Sequence, residues 1–239
     1  MNQSGRALPN DTCADMSAKK LAMRKAKAAV SWSGGKDSYL ALHRTAGVFD
    51  VQALVTMFTE DGARSRSHGL RPEVLARQAS LLGLPLVSGR GSWKTYEEEF
   101  KRVSRALAVD GFSHVIFGDI FLDEHRMWVE RVCAECGLQA VEPLWGEPTT
   151  ALFHEFLATD ACAQIVATKA ELLDQKWLGR SLSEEMIPTF ESLGVDACGE
   201  RGEYHTLVFA SPRMRSLLEV RESGRLIHDG YWMLDLELA

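Results

Sequence analysis

Ser33-Gly34-Gly35-Lys36-Asp37-Ser38 brings together the residue types that hold a phosphate. Adjacent glycines let the backbone curl close to a ligand with its N–H groups turned inward. Lys36 adds a positive charge, and Ser33 and Ser38 add hydroxyl donors. The apolar run Ala28-Ala29-Val30 precedes the loop and Tyr39-Leu40-Ala41-Leu42 follows it, so a strand should lead in and a helix lead out. The open N–H groups and dipole of a helix N-terminus favour the same guest, an anion such as phosphate or pyrophosphate.

A second concentration lies at Asp196-Ala197-Cys198-Gly199-Glu200-Arg201-Gly202-Glu203-Tyr204-His205-Thr206. Acids, a guanidinium, an aromatic ring, an imidazole and a hydroxyl share one loop that runs into a strand. On composition alone it reads equally as a solvated turn. His205 suits proton transfer near neutral pH and equally suits a structural place at a strand start. Cys133 and Cys136 form a CxxC, but Met127, Val129, Val132, Cys133 and Cys136 recur near helical spacing, which points to a buried helix face. A zinc site needs two further ligands, and no second CxxC or close His pair supplies them.

The elements that must position these groups alternate. Strands are expected to end at Val30, to run over Val51–Phe58 and Leu84–Val87, and to recur at His114–Phe117. Helices are expected from Ser38, over Pro72–Leu82 with proline near the start, from a Thr95–Glu98 capping box to Val109, and over Glu124–Cys136. Strands separated by helices imply a parallel sheet with its ligand crevice at the strand C-termini. Met57–Thr59 and Gly118-Asp119 should therefore line the crevice beside the phosphate loop. Beyond Pro143–Pro148 the pattern changes to a helix at Thr150–Thr159, a strand at Gln164–Ala167 and a capping box at Ser181–Glu184 that opens a helix to Ser192. Strands at Tyr204–Ala210, Ser216–Glu222 and Tyr231–Glu237 follow, with a hairpin turn expected at Ser223-Gly224. The expected organisation is a flexible tail over residues 1–26, a phosphate-loop domain over 27–146 and a substrate-binding α+β domain over 147–239.

The 239 residues carry Lys+Arg 27 against Asp+Glu 33, a net charge of -6, which argues against general nucleic-acid binding. No apolar run reaches membrane-span length and no secretory leader is evident, so a cytoplasmic protein is expected. Five cysteines, an odd number, do not suggest a disulfide framework.

Asp37 stands where a Walker A loop needs Ser or Thr, and the upstream glycine is missing. The run instead resembles the SGGxDS PP-loop of the N-type ATP pyrophosphatases, which cleave ATP between the α and β phosphates. With Asp196–Thr206, with Glu142-Pro143-Leu144-Trp145-Gly146 and with Trp177-Leu178-Gly179-Arg180, the chain resembles the diphthine–ammonia ligase family. The resemblance spans about residues 27–212. It implies an adenine-nucleotide α-hydrolase-like (Rossmann-like) parallel-sheet domain followed by a smaller α+β domain. It further implies that ATP adenylates a carboxylate and that ammonia then displaces AMP, with Mg²⁺ on the phosphates.

On that resemblance Ser33, Gly34, Gly35, Lys36, Asp37, Ser38, Met57 and Gly118 bind ATP, and Lys36, Asp37 and His205 act in the chemistry. Glu200, Gly202, Glu203, Tyr204, His205 and Thr206 bind the acceptor, Glu200, Glu203 and Tyr204 suiting a quaternary ammonium such as that of diphthine. Arg126 and Lys169 are weaker candidates near the α phosphate or the substrate, and His114 and His125 are expected to be structural. The chain departs from the family at Ala197, where proline is usual, at Arg201, where asparagine is usual, and at Gly118-Asp119-Ile120, where GAI is usual. These departures leave open whether the acceptor is diphthine on elongation factor 2 or a small molecule such as a corrinoid, the cobalamin-related amidation. Ammonia is expected to be free or to come from another protein. Two other classes stay open: a PP-loop tRNA-modifying enzyme using Cys133 and Cys136, and a nucleotide-binding module without catalysis.

Overall fold

The computed structural model describes residues 25–66 and 68–239; most of the expected N-terminal tail lies outside the described residues. The first sheet holds β1 (Lys27–Ser31), β2 (Asp50–Phe58), β3 (Leu86–Arg90), β4 (His114–Ile116) and β5 (Gln139–Val141) in the order β3-β2-β1-β4-β5. Every pairing is parallel. The crossovers are α1 (Lys36–Thr45), α2 (Pro72–Leu82), α3 (Tyr96–Val109) and α4 (Asp123–Glu135). β1 sits centrally, which explains its unbroken small apolar run: Ala28, Ala29 and Val30 are fully buried between helical layers. Ala29, Val55, Met57, Val115 and Phe117 face α3 and α4. Ala28, Val30, Leu54 and Ile116 face α1 and α2 and continue into the core of the second sheet.

That second sheet is antiparallel, order β7-β6-β9-β8. It follows α5 (Thr149–Ala158) and contains β6 (Cys162–Lys169), β7 (Tyr204–Ala210), β8 (Val220–His228) and β9 (Tyr231–Leu238), with α6 (Ile187–Leu193) between β6 and β7. Arg71, at the N-cap of α2, fixes the two sheets together. Its Nε lies 2.9 Å and its Nη2 2.6 Å from the Asp235 carboxylate on β9, and Arg64 joins the same carboxylate. These donors hold Asp235 well below the ordinary carboxylate range.

The α/β architecture agrees with the sequence reading, and several local expectations are corrected. Neither capping box forms. Thr95 Oγ1 accepts from Ser92 N at 3.0 Å, while Glu97 accepts from Trp128 and Arg131 of α4 instead of facing solvent alone. The backbone of Ser181 bridges to Gln164, and a short 3₁₀ turn at Glu184–Met186 replaces the expected start of α6. The hairpin turn lies at Asp229-Gly230, whose φ angles of 49° and 80° fit the two-residue turn that matches strand twist. Ser223 instead marks an irregularity where β8 slips between Glu222 and Gly224 against β9. β5, too short to carry a period, was not anticipated.

Candidate active site

Both residue concentrations meet at one cleft of about 450 Å³ at the C-terminal edge of the parallel sheet. The loop Trp32–Gly35 leaves β1 and enters α1 directly. Gly35 is fixed by close approach: a Cβ there would lie 2.6 Å from His68 Cε1 and 3.0 Å from Thr206 O. Beneath the loop, fully buried Gln78 of α2 accepts from Trp32 Nε1 at 2.8 Å. Its amide nitrogen donates to Gly34 O at 3.0 Å and to Val208 O of β7 at 2.7 Å. Val208 N also donates to Gly34 O at 2.9 Å, and Lys36 N donates to Thr206 Oγ1 at 3.0 Å. The phosphate loop is thus built against the second sheet.

Lys36 is 2% exposed. Its ammonium lies 2.8 Å from Asp37 Oδ2, donates to Cys198 O and sits 5.1 Å from the centre of the Tyr204 ring. Burial lowers its pKa, but Asp37, Tyr204 and Cys198 outweigh that and raise it, so Lys36 stays cationic. Burial raises the Asp37 carboxyl, with Lys36 opposing. Ser38 Oγ donates to Gly35 O at 3.0 Å and lies 3.2 Å from Ser33 Oγ.

The Asp196–Thr206 loop divides into groups that face the cleft and groups that hold the loop. Glu203, 3% exposed, accepts from Asp196 N at 3.2 Å and Arg201 N at 2.9 Å. Asp196 accepts from Cys198 N, Glu200 N and Thr149 Oγ1. Gly199, at φ 70°, lets the turn fold over the Tyr204 ring. Tyr204 is buried, donates its hydroxyl to Ala197 O at 2.5 Å and stacks on Phe190. Cleft-lining residues from this loop are Cys198, Gly199, Glu200, Tyr204, His205 and Thr206; Gly202 and Glu203 do not reach the cleft.

Glu200 Oε1 accepts from Ile120 N at 2.7 Å and Phe121 N at 3.4 Å, docking the loop on the segment after β4. Burial, then Asp37 and Asp119, push Glu200 up to about 7, while those two N–H bonds oppose the rise. His205 and His68 lie with ring centroids 4.6 Å apart, and His68 Nδ1 donates to Thr206 O at 2.9 Å. Burial, assisted by nearby Lys36, takes His68 down to about 4; burial, His68 and Lys36 take His205 well below its ordinary value. Both imidazoles are therefore neutral near pH 7.

Of the residues expected at ATP, Ser33, Lys36, Asp37, Ser38, Met57 and Gly118 line the cleft. Gly34 and Gly35 pack behind it, against Leu75, Gln78, His68 and Thr206. Arg126 pairs with Glu130 and stacks on Trp145, and Lys169 pairs with Glu171; neither lines the cleft. His114 bonds Ser113, whereas His125 lines the cleft and lies 3.2 Å from Asp119.

Sequence reading missed an aromatic wall. Trp93, Tyr96, Phe100 and Trp128 line the cleft together, with Tyr96 5.7 Å from Trp128 and 5.9 Å from Trp93 between ring centroids. The i, i+3, i+7 spacing of Trp93, Tyr96 and Phe100 was a visible helical stripe. Arg66 and His68 were also missed; they come from the irregular segment after β2, which has no periodicity to read.

The description Diphthamide synthase N-terminal domain matches residues 26–140, and Diphthamide synthase C-terminal domain matches residues 149–238. A Diphthine--ammonia ligase of Danio rerio is 33% identical over 132 residues, covering 54% of this chain and 51% of that protein. The Homo sapiens Diphthine--ammonia ligase is 33% identical over 135 residues, 55% of this chain and 49% of that protein. The Schizosaccharomyces pombe protein of that name is 25% identical over 219 residues, covering 82% of this chain and 36% of its own length. The chain thus spans about half the length, or less, of these curated relatives. A solved structure titled as a predicted subunit of tRNA methyltransferase from Methanocaldococcus jannaschii is 18% identical and covers 78% of this chain and 98% of its own. Its TM-score of 0.43 lends no weight to any reading. With both family descriptions matched in chain order, one over each sheet, the chain belongs to the diphthamide synthase family.

Proposed function

We propose that the chain is an ATP-dependent, AMP-forming ligase that converts a carboxylate to an amide with ammonia. The carrying observation is the junction of the phosphate loop with the Asp196–Thr206 loop, where Lys36 Nζ contacts both Asp37 and Cys198 O. An activating site and an acceptor site sharing one wall suit a reaction in which two anions must meet. A carboxylate oxygen attacks the α phosphorus, the bond to the β phosphate oxygen breaks and pyrophosphate leaves. Ammonia nitrogen then attacks the acyl carbon, loses a proton, and the bond to AMP breaks.

Serine hydroxyls and loop amides are assigned to the pyrophosphate end of ATP, with Met57 and Gly118 beside the nucleoside. Lys36 is assigned to holding Asp37 ionised and the acceptor loop in place. Asp37 and Asp119 line the cleft and would each offer a carboxylate oxygen to Mg²⁺. Among the described residues no group of three or more His, Cys, Asp or Glu could hold a metal, so phosphate oxygens and water complete such a site. Bound there, Mg²⁺ neutralises charge on the phosphates. His205, neutral through burial, keeps a ring nitrogen able to accept the proton released by the attacking amine.

Acceptor binding is assigned to Glu200, His205 and Thr206, with Gly202, Glu203 and Tyr204 supporting them from within the loop. Among the described residues no helix is long and apolar enough to cross a membrane. A sulfur-inserting reading through Cys133 and Cys136 is disfavoured: neither lines the cleft, and burial raises both thiols, Cys133 to about 12.

The test is AMP and pyrophosphate release with ATP, Mg²⁺ and ammonia, offering elongation factor 2 that carries diphthine beside corrinoid acids. Release that needs both ammonia and one acceptor supports the ligase. Release that ignores ammonia, or none with any acceptor, sinks it.

A further inference from the structure

Lys36 cannot be the cation that meets the charge of ATP, because Asp37 and Cys198 O already hold its ammonium in a buried contact. A triphosphate needs positive charge that the loop does not spare. Among the described residues the cleft holds one other Lys or Arg side chain, Arg66. Among the described residues no carboxylate lies within ion-pair distance of it. Its Nη2 donates to Gly91 O, and its Nε is buried without a partner. The guanidinium carbon stands 4.6 Å from the centre of the Trp93 ring, which fixes the plane of the fork.

Arg66 also has the right neighbours. Its backbone N–H is anchored to Met57 O at 3.1 Å. Two residues on, His68 lies against Gly35 and bonds Thr206 O, so this turn packs directly on the phosphate loop. A guanidinium with spare donors and no described carboxylate within ion-pair distance, beside a phosphate loop whose lysine is engaged, is an incomplete anion site. We propose that Arg66 is the residue that binds the β and γ phosphates of the nucleotide, with Trp93 holding its guanidinium flat. The inference rests on the ATP reading above and assigns the phosphate charge to a side chain outside the PP-loop motif.

Calorimetry on the full chain separates the two ideas, using Mg·ATP, pyrophosphate and AMP with wild type, Arg66→Gln and Arg66→Lys. A wild type that binds ATP or pyrophosphate upholds the nucleotide reading; one that binds neither overturns both. Arg66→Gln is expected to weaken Mg·ATP and pyrophosphate by about 10- to 100-fold, the worth of a charged hydrogen bond, and AMP by less than about 3-fold. Arg66→Lys should recover part of the loss, which also guards against a folding defect in Arg66→Gln. Unchanged ATP and pyrophosphate binding in Arg66→Gln overturns the assignment. So does an equal loss for ATP and AMP, which places Arg66 at the nucleoside end.

Discussion

The phosphate loop and the Asp196–Thr206 loop meet at one cleft but use their polar residues differently. In the first, glycines give close approach and short side chains satisfy short gaps, so Ser33, Asp37 and Ser38 all remain at the cleft. In the second, an irregular turn must satisfy its own backbone, and Asp196 and Glu203 are consumed in doing so. Buried N–H groups without partners are costly, so a loop lacking regular structure recruits carboxylates as internal caps. A dense run of reactive residue types is therefore not a dense site.

Lys36 belongs to both loops, and its removal is the harshest way to break the contrast. Lys36→Ala leaves Asp37 facing a buried gap and should destabilise the fold by about 3 kcal/mol, near the low end for breaking a buried ion pair because Asp37 is partly exposed. Urea denaturation measures it. A loss of ATP affinity at unchanged stability would place Lys36 on the ligand rather than on the loops.

Glu203→Gln and His205→Gln sharpen the distinction within the second loop. Glu203→Gln should cost about 1–3 kcal/mol, since an amide cannot accept from both N–H groups. Nucleotide affinity of the folded variant should hold. His205→Gln should do the reverse, lowering amide-forming turnover by about 100-fold with little change in melting. Equal stability losses in the two variants would erase the division between holding and facing residues.

The smallest effect is a slope. Glu200 titrates near 7 in the fold and near 4.5 unfolded, so the folded state binds more protons between those values. Its contribution to stability therefore falls as pH rises through that window. His68 and His205, depressed in the fold, act in the opposite sense, their contribution growing as pH rises towards 6.5. Glu200→Gln removes the falling component, so its stability should climb more steeply with pH between about 4.5 and 7 than that of wild type. Parallel pH profiles would mean that Glu200 is solvated as an ordinary surface acid.

How much was legible follows from the same physics. α2, spanning Pro72–Leu82, was readable because proline, helical periodicity and a terminal glycine agree. β7, Tyr204–Ala210, was readable as a β-rich run. The Asp229-Gly230 turn carried a known hairpin signal that Ser223-Gly224 obscured. β5 carries no period within three residues and is set by pairing with β4. At the cleft, consecutive residues were visible as a motif. The inward turn of Glu203, the pairing of His68 with His205 and the stacking of Arg66 on Trp93 depend on distant chain segments, and spacing holds no trace of them.

Gln78 gives this geometry a mechanical meaning. One amide group holds the Trp32 indole, the Gly34 carbonyl and the Val208 carbonyl, so three chain segments share a single bolt. A tightening or loosening of the loop around a guest is transmitted to β7 without any hinge. Slowed hydrogen exchange on nucleotide binding should therefore spread along the antiparallel strands, far from any phosphate, as though the second sheet were a sounding board for the first.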